Sequence, residues 1–559
     1  MQKSLRDKLI GPGDTPAKFL GRALGVGLRT GLIFQHSVRS LARLARLLPT
    51  QQLGPAIIHS VNAATFGDRD CVVGAGRTLT YDDIDRLINR LVHGLRALGV
   101  RRGQKLVLMS PNSWQYLVAY FAAIRGGFSA VHASYRLTSS ELEYIVTHAD
   151  ARAVIFAPDC AEVALEVQRR RFDEDTLWIA TAPLPGESTG VRDLEAVVAG
   201  QPETFPIGHL RLVGAHNVVY TSGTTGRPKG AVRNMSDMGL AEALGILERL
   251  AFTAGERHLV VCPLYHSGAQ AFATLHSGMG STLVLESKFD PEATLRTLRD
   301  QRIDSVFLVP TMIRQILDLP APVLHRHRPR LTCLISGAAP FPHALRERAI
   351  RYFGNVVFDF YGTTENGWLT LVDSAEMQAR PSTVGRAIAG AQIIIVDDDG
   401  RPLPAGEVGR VTALSHMVID GYHRDAKATR ESRLGEAQVS GDLGYLDADG
   451  YLFLSGRSSD MIITGGVNAY PAEIEQVLTQ HPAVRDAAVA GLPDETWGEI
   501  VAAFLVGPDP GDIPHLEDFC RTRLAGFKVP RVWRFLNDLP RNPTGKVLKR
   551  QLRKKYGTS

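Results

Sequence analysis

Tyr220-Thr-Ser-Gly-Thr-Thr-Gly-Arg-Pro-Lys-Gly230 gathers glycines, small hydroxyl side chains and one lysine into a single short stretch. Glycine lets the backbone take φ > 0 and come close to a ligand. Hydroxyls and bare N–H groups bind phosphate oxygens, and a lysine adds a point charge. Val218-Val219-Tyr220 immediately before it reads as the end of a buried strand. The loop is therefore expected at the mouth of a sheet, where α/β proteins hold phosphates. It is not a Walker loop, because Lys229 is followed by Gly230 rather than by Ser or Thr.

Working outward, a chain of 559 residues is too long for one core and implies two or more domains. With 44% hydrophobic and 22% charged residues the composition is that of an ordinary globular protein. The five cysteines (Cys71, Cys160, Cys262, Cys333, Cys520) lie far apart with no C-x-x-C pair. Neither a zinc site nor a disulfide framework is expected, and the chain reads as cytoplasmic, in a reducing compartment. The net charge of +5 is uneven: residues 1–50 carry nine basic and two acidic side chains, a net +7, which leaves −2 on the rest. The body is thus not a basic surface of the nucleic-acid-binding kind. No run of about 18 apolar residues exists, so no transmembrane helix is expected.

Residues 56 to about 455 alternate short apolar runs with helical stretches. Lys105–Met109, Ala153–Phe156, Leu259–Val261, Ser305–Val309 and Cys333–Ser336 read as buried strands. Thr80 reads as the cap of a helix opening at Tyr81. Gln392–Val396, Asp397-Asp-Asp-Gly400 and Gly409–Thr412 read as part of a small β subdomain. The expected architecture is α/β: a basic N-terminal extension over 1–55, a large domain over 56–458, and a compact unit over 459–559 whose size suits an independent domain. Within the extension, Ser37–Leu48 has helical period, with Leu41, Leu44, Ala45 and Leu48 on one face and Arg39, Arg43 and Arg46 on another. Such a helix either lies on an anionic membrane, here the inner face, or packs on the protein.

Six further segments follow the first in order: Pro263-Leu-Tyr-His-Ser-Gly268, Ser336-Gly-Ala-Ala-Pro340, Tyr361-Gly-Thr-Thr-Glu365, Ser440-Gly-Asp-Leu-Gly-Tyr445 with Gly456-Arg457, Thr464–Glu475, and Asn542-Pro-Thr-Gly-Lys546. Taken together with the 220–230 loop, the series resembles the acyl-adenylate-forming family, which includes acyl-CoA synthetases, luciferases and peptide-synthetase adenylation domains. The resemblance covers about residues 60–555.

That resemblance implies a large domain of α/β subdomains plus a β subdomain and a smaller, mobile α+β C-terminal domain. It implies ATP, Mg²⁺ and coenzyme A, and a carboxylic acid, a fatty acid in the first instance, as substrate. Thr221, Ser222, Gly223, Thr224, Thr225, Gly226 and Lys229 would hold the phosphates. Gly337, Ala338 and Ala339 would lie beside the adenine, with Tyr361 stacked on it and Gly362 and Thr363 next to it. Thr364 would contact the α-phosphate and Glu365 hold Mg²⁺, a cation that needs only one or two carboxylates beside phosphate oxygens. Asp442 would bind the ribose, with Arg457 assisting. Lys546 would stabilise the charge that builds on the α-phosphate. Gly465 and Gly466 would let a pantetheine arm pass, and His266 would line the acyl pocket, the alternative being a buried core histidine.

Three departures stand out. The usual hinge position holds Ser459, with Asp460 next. Asp359 stands where relatives often have glutamine. No aspartate near His266 could hold an amino group, which favours an unsubstituted acid. The expected reaction gives acyl-AMP and then acyl-CoA. The alternatives are an acyl-AMP ligase serving a carrier protein, and a non-catalytic relative, whose motifs would be damaged; here Lys229, Glu365, Asp442, Arg457 and Lys546 are intact.

Overall fold

The computed structural model describes residues 15–35, 38, 41–42, 45, 55–171, 175–185, 189–206, 215–221, 228–234, 240–464, 467–542 and 545–557. It divides into two compact units. The first comprises Met1–Phe307, Ala321–Leu334 and Ser415–Glu431; the second comprises Leu308–Pro320, Ile335–Leu414 and Ser432–Ser559.

In the first unit, six strands run parallel in the order His216–Thr221, Ser129–Ala133, Lys105–Met109, Ala151–Phe156, Leu177–Ala180, Val191–Asp193. Lys229–Asn234 and then Gly421–Tyr422 extend the sheet antiparallel beyond His216–Thr221. The apolar runs are continuous because both faces are covered. The helix Trp114–Gly126 shows why: Tyr116 to Gly126 are all buried. Its one charge, Arg125, is neutralised by Asp85 at 2.7 Å and also donates to Asn89 Oδ1 at 2.7 Å. The helix Tyr81–Ala97 starts where the sequence says, in a capping box: Asp83 N–H donates to Thr80 Oγ1, and Thr80 N–H to Asp83 Oδ2.

Part of the expected extension is joined to this unit. Pro16–Thr30 is a helix, which its three interior glycines (Gly21, Gly25, Gly27) had disguised. Arg22 makes a two-point ion pair with Glu248 at 2.6 and 2.9 Å, Arg29 donates to Leu250 O, and Gln35 donates to Ala254 O. Val26 and Thr30 are buried, and tertiary contact overrides the weak helix propensity. The Ser37–Leu48 helix lies for the most part outside the described residues.

In the second unit the strands run Gln392–Val396, Gly409–Leu414, Ala437–Leu446, Tyr451–Arg457, Thr383–Ala387, Gly367–Val372, Val357–Thr363. The pairs are antiparallel. A separate sheet, Val467–Ala469, Ile462–Thr464, Gly498–Val506, Asp486–Asp494, with Val532–Phe535 parallel to Gly498–Val506, carries its own apolar core built around Ile474, Leu478, Val489, Phe504, Leu505 and Leu516.

Candidate functional site

Thr221 and Lys229 face one another across the hairpin formed by His216–Thr221 and Lys229–Asn234. Ser222, Gly223, Thr224, Thr225 and Gly226, between them, lie outside the described residues. The hairpin is braced from behind: the Tyr220 hydroxyl and His148 Nδ1 are 2.9 Å apart, and Tyr144 O–H donates to Pro228 O at 3.1 Å. Gly230 is closely packed, since a Cβ would sit 3.2 Å from the Tyr220 ring and from Val218. The Lys229 ammonium lies 3.8 Å from Asp425 Oδ2 and 5.6 Å above the Tyr422 ring. These two neighbours had no signal in the sequence near the loop. Among the described residues the ammonium is held by a long ion pair and a ring face, which leaves it available to a stronger anion such as phosphate.

His266 is the cap residue of the helix Ser267–Gly278. Its Nε2 is shut off from solvent and has no partner among the described residues. Burial, reinforced by the positive charge of Arg136, lowers its pKa to about 4, so the imidazole is neutral. Beyond it along the helix, Ala273 is part of the packed core and Gly278 lies beside Ile58.

In the second unit, antiparallel pairing sets Asp442 directly opposite Arg457. Arg457 Nε is 3.1 Å from Asp442 Oδ1, and the Tyr361 hydroxyl donates to Asp442 Oδ2 at 2.7 Å. Burial, and then the charge of Asp442, push the Tyr361 phenol well above its usual range, so it remains a donor. Lys546 lies within reach of the same charges. Its burial, followed by the positive charge of Arg457, holds its ammonium below the ordinary lysine range, while Asp442 and Asp460 pull the other way. Tyr361, Asp442, Arg457 and Lys546, distant in sequence, are thus one electrostatic group.

Lys546 is presented by a tight loop. Asn542 N–H donates to Lys546 O, Gly545 N–H to Asn542 O, and Lys546 N–H to Asn542 Oδ1, each at 2.9 Å. Gly545 takes φ +80, and a Cβ there would stand 2.5 Å from Thr311 Oγ1.

Thr364 and Glu365 occupy the half-buried turn between Val357–Thr363 and Gly367–Val372. Two neighbours also shape the backbone here. A Cβ on Gly362 would lie 2.1 Å from Gly367 O, so this glycine permits the close strand pairing. Thr363 Oγ1 accepts from Asn366 N–H at 3.0 Å and shapes the turn. Likewise Gly337 is demanded by the Phe360 ring, which a Cβ would meet at 2.5 Å, and Ala338 sits at φ +66 beside it. Among the described residues no group of three or more His, Cys, Asp or Glu could hold a metal ion. One carboxylate, Glu365, fits a cation whose other ligands come from nucleotide oxygens.

Asp359 pairs with Arg346 at 2.7 Å inside the core, and Arg346 also donates to Pro381 O and Thr383 O. Ser459 and Asp460 form a short 3₁₀ turn whose carbonyls both accept from Arg553 at 3.3 Å. Gly465 and Gly466 lie outside the described residues, between the paired strands Ile462–Thr464 and Val467–Ala469.

Comparison with known proteins gives a consistent picture. The AMP-binding enzyme family matches residues 60–423, and the AMP-binding enzyme C-terminal domain matches residues 473–546. A feruloyl-CoA synthase of Amycolatopsis sp is 34% identical over 490 residues, 86% of this chain and 95% of its own. The long-chain-fatty-acid–CoA ligase FadD13 of Mycobacterium tuberculosis is 32% identical over 485 residues, 86% of this chain and 94% of its own. The solved structure of the anthranilate CoA ligase AuaEII in complex with anthranoyl-AMP superposes with a TM-score of 0.83 at 26% identity, covering 90% of this chain and 97% of that one.

Proposed function

This chain belongs to the AMP-binding enzyme family, as an adenylate-forming enzyme of acyl-CoA synthetase type, and on that premise we propose that it activates a fatty acid with ATP and passes the acyl group to coenzyme A. In the first step a carboxylate oxygen attacks the α-phosphorus of ATP, the bond to pyrophosphate breaks, and acyl-AMP forms. In the second step the coenzyme A thiol loses its proton and attacks the acyl carbon, releasing AMP.

The observation that carries this reading is the grouping of Lys546 with Asp442, Arg457 and Tyr361. Asp442 already accepts from Tyr361 and is ion-paired with Arg457. A carboxylate offers about four acceptor positions, so capacity for two ribose hydroxyls remains. The two contacts fix its orientation in advance. Lys546, half-buried, supplies a positive charge where negative charge develops on the α-phosphate. Thr221, the 222–226 segment and Lys229 hold the β- and γ-phosphates, and Thr364 the α-phosphate. Glu365 holds Mg²⁺, which when bound neutralises phosphate charge. His266, neutral and with Nε2 unsatisfied by protein, offers that nitrogen to the acyl end. Residues 459–559 act as the mobile domain, turning about Ser459 or Asp460 so that Gly465 and Gly466 replace Lys546 for the second step.

Membrane contact is part of the proposal. Leu20, Leu24 and Leu28 follow one another at helical spacing on Pro16–Thr30 and are 67%, 56% and 50% exposed. They lie on a segment of net charge +7. An anionic bilayer accepts such a face, and a lipid-like acid partitions into the same surface. The protein works at the cytoplasmic face; among the described residues no helix is long and apolar enough to cross a membrane.

The test is ATP–pyrophosphate exchange over a panel of fatty, hydroxycinnamic and short carboxylic acids, followed by thioester formation with free coenzyme A. Exchange without thioester, with acyl-AMP trapped by hydroxylamine, would transfer the assignment to an acyl-AMP ligase serving a carrier protein.

A further inference from the structure

We infer that Asp486 is a positioning residue, a releasable clasp that ties the Lys546 loop to the helix Pro310–Leu317 and so holds the adenylate-forming arrangement. The inference rests on the reading above that Lys546 serves the first half-reaction.

Asp486 opens the strand Asp486–Asp494 and is only 6% exposed. Its Oδ1 accepts from Ala487 N–H at 3.0 Å, which fixes the carboxylate plane. Its Oδ2 accepts from two guanidinium groups at once: Arg314 Nη1 at 2.6 Å and Arg541 Nη2 at 2.5 Å. Arg314 lies in the middle of Pro310–Leu317. Arg541 is the first residue of the lysine loop, and its Nη1 donates to Gly545 O at 2.5 Å. The loop touches the same helix a second time, because Gly545 lies against Thr311, one turn before Arg314. Residues three apart share a helix face. The loop therefore runs along one face of that helix, touching at Thr311 and tied through Asp486 at Arg314.

The loop's own shape comes from Asn542, Gly545 and Lys546 bonding to each other. Asp486 bonds to none of those three residues; it acts on where the loop sits, through Arg541 and Arg314. It thereby decides whether the Lys546 ammonium is held beside Asp442 and Arg457.

The charge count makes the clasp reversible. Two cations share one anion, so removing Arg314 leaves Asp486 still paired with Arg541. No buried carboxylate is stranded, which is the event that makes breaking a buried pair costly. Arg314, with a side chain 20% exposed, has access to water when released. A clasp of this kind holds the loop for one step and lets it go for the next.

The experiment compares Asp486→Asn, Arg314→Met and Arg314→Lys with the full-length protein. Pyrophosphate exchange reads the first step, and thioester formation from supplied acyl-AMP and coenzyme A reads the second. Amide hydrogen exchange across residues 541–547 is measured without substrate. Asp486→Asn and Arg314→Met are expected to lower pyrophosphate exchange roughly ten- to a hundredfold, the scale on which slight misplacement of a catalytic group acts. Thioester formation stays near that of the parent, amide exchange in the loop accelerates, and Arg314→Lys recovers most of the loss, because a single Arg314 nitrogen carries the bond to Asp486. Equal loss in both steps, or unchanged amide exchange in the loop, overturns the clasp. If the parent protein shows no pyrophosphate exchange with any acid, the adenylation reading fails instead, and the amide exchange still decides the clasp by itself.

Discussion

Gly545→Ala tests whether the placement of the Lys546 loop controls the first half-reaction. Two costs arise. Position 545 has φ +80, where an L-residue is disfavoured by about 1–2 kcal/mol. The new Cβ would meet Thr311 Oγ1 at 2.5 Å and Cγ2 at 3.2 Å, an overpacking of about 1–3 kcal/mol. Together these oppose the native loop by about 2–5 kcal/mol, or roughly thirtyfold to a few thousandfold in population. The rate loss has a ceiling, because a fully displaced loop costs no more than losing the lysine, about 10²–10³ for one transition-state donor. Pyrophosphate exchange should therefore fall about a hundredfold, while acyl-AMP plus coenzyme A still gives thioester at close to the parent rate. The second substitution Thr311→Ala removes Oγ1 and Cγ2 and leaves the Thr311 Cβ at an ordinary 3.4 Å. It cancels the steric share but not the backbone share, so the double variant should recover to within about five- to thirtyfold of the parent. Full pyrophosphate exchange in Gly545→Ala, or no recovery in the double variant, would refute the reasoning.

Lys546→Ala should lose about 10²–10³ in acyl-AMP formation and little in thioester formation from supplied acyl-AMP. Since burial holds the Lys546 ammonium below the ordinary lysine range, the first step of the parent should decline on the alkaline side before an ordinary lysine would titrate, and Lys546→Arg should move that decline upward. Burial pushes the Glu256 carboxyl from 4.5 up to about 7. The folded state therefore binds the extra proton: its stabilising effect is complete below pH 4.5 and is lost as pH rises through 7, by up to about 3 kcal/mol. Urea midpoints should fall across that window, and Glu256→Gln should flatten the curve. Leu20→Ser, Leu24→Ser and Leu28→Ser combined should abolish co-sedimentation with anionic vesicles and spare activity on a short soluble acid; retained co-sedimentation would remove these leucines from the membrane reading. Gly466→Leu should stop thioester formation while pyrophosphate exchange persists, and parallel loss of both would make that turn structural rather than a thiol passage.

Features that depend on neighbours in the chain were legible without coordinates. The capping box at Thr80 and Asp83 is a bond between residues three apart, and the parallel strands announced themselves as apolar runs because each is covered on both faces. The order of motifs, the lysine near the C-terminus and the hairpin glycines belong to the same class, because loop chemistry is written in adjacent residues. The helix Pro16–Thr30 escaped because its glycines weaken local propensity, and its burial against Leu240–Arg249 more than compensates. What only the tertiary structure decided is which distant charges meet: Tyr361 with Asp442 across 81 positions, and Arg314 with Asp486 across 172. It also showed packing duties of motif residues that no local pattern announces: Gly337 and Gly362 permit close approach, Thr363 shapes a turn, and Asp359 pairs with Arg346. Periodicity reports which face of an element is apolar, but an ion pair depends on which strand or helix lies alongside, and that is set by the packing of the whole core rather than by any local pattern.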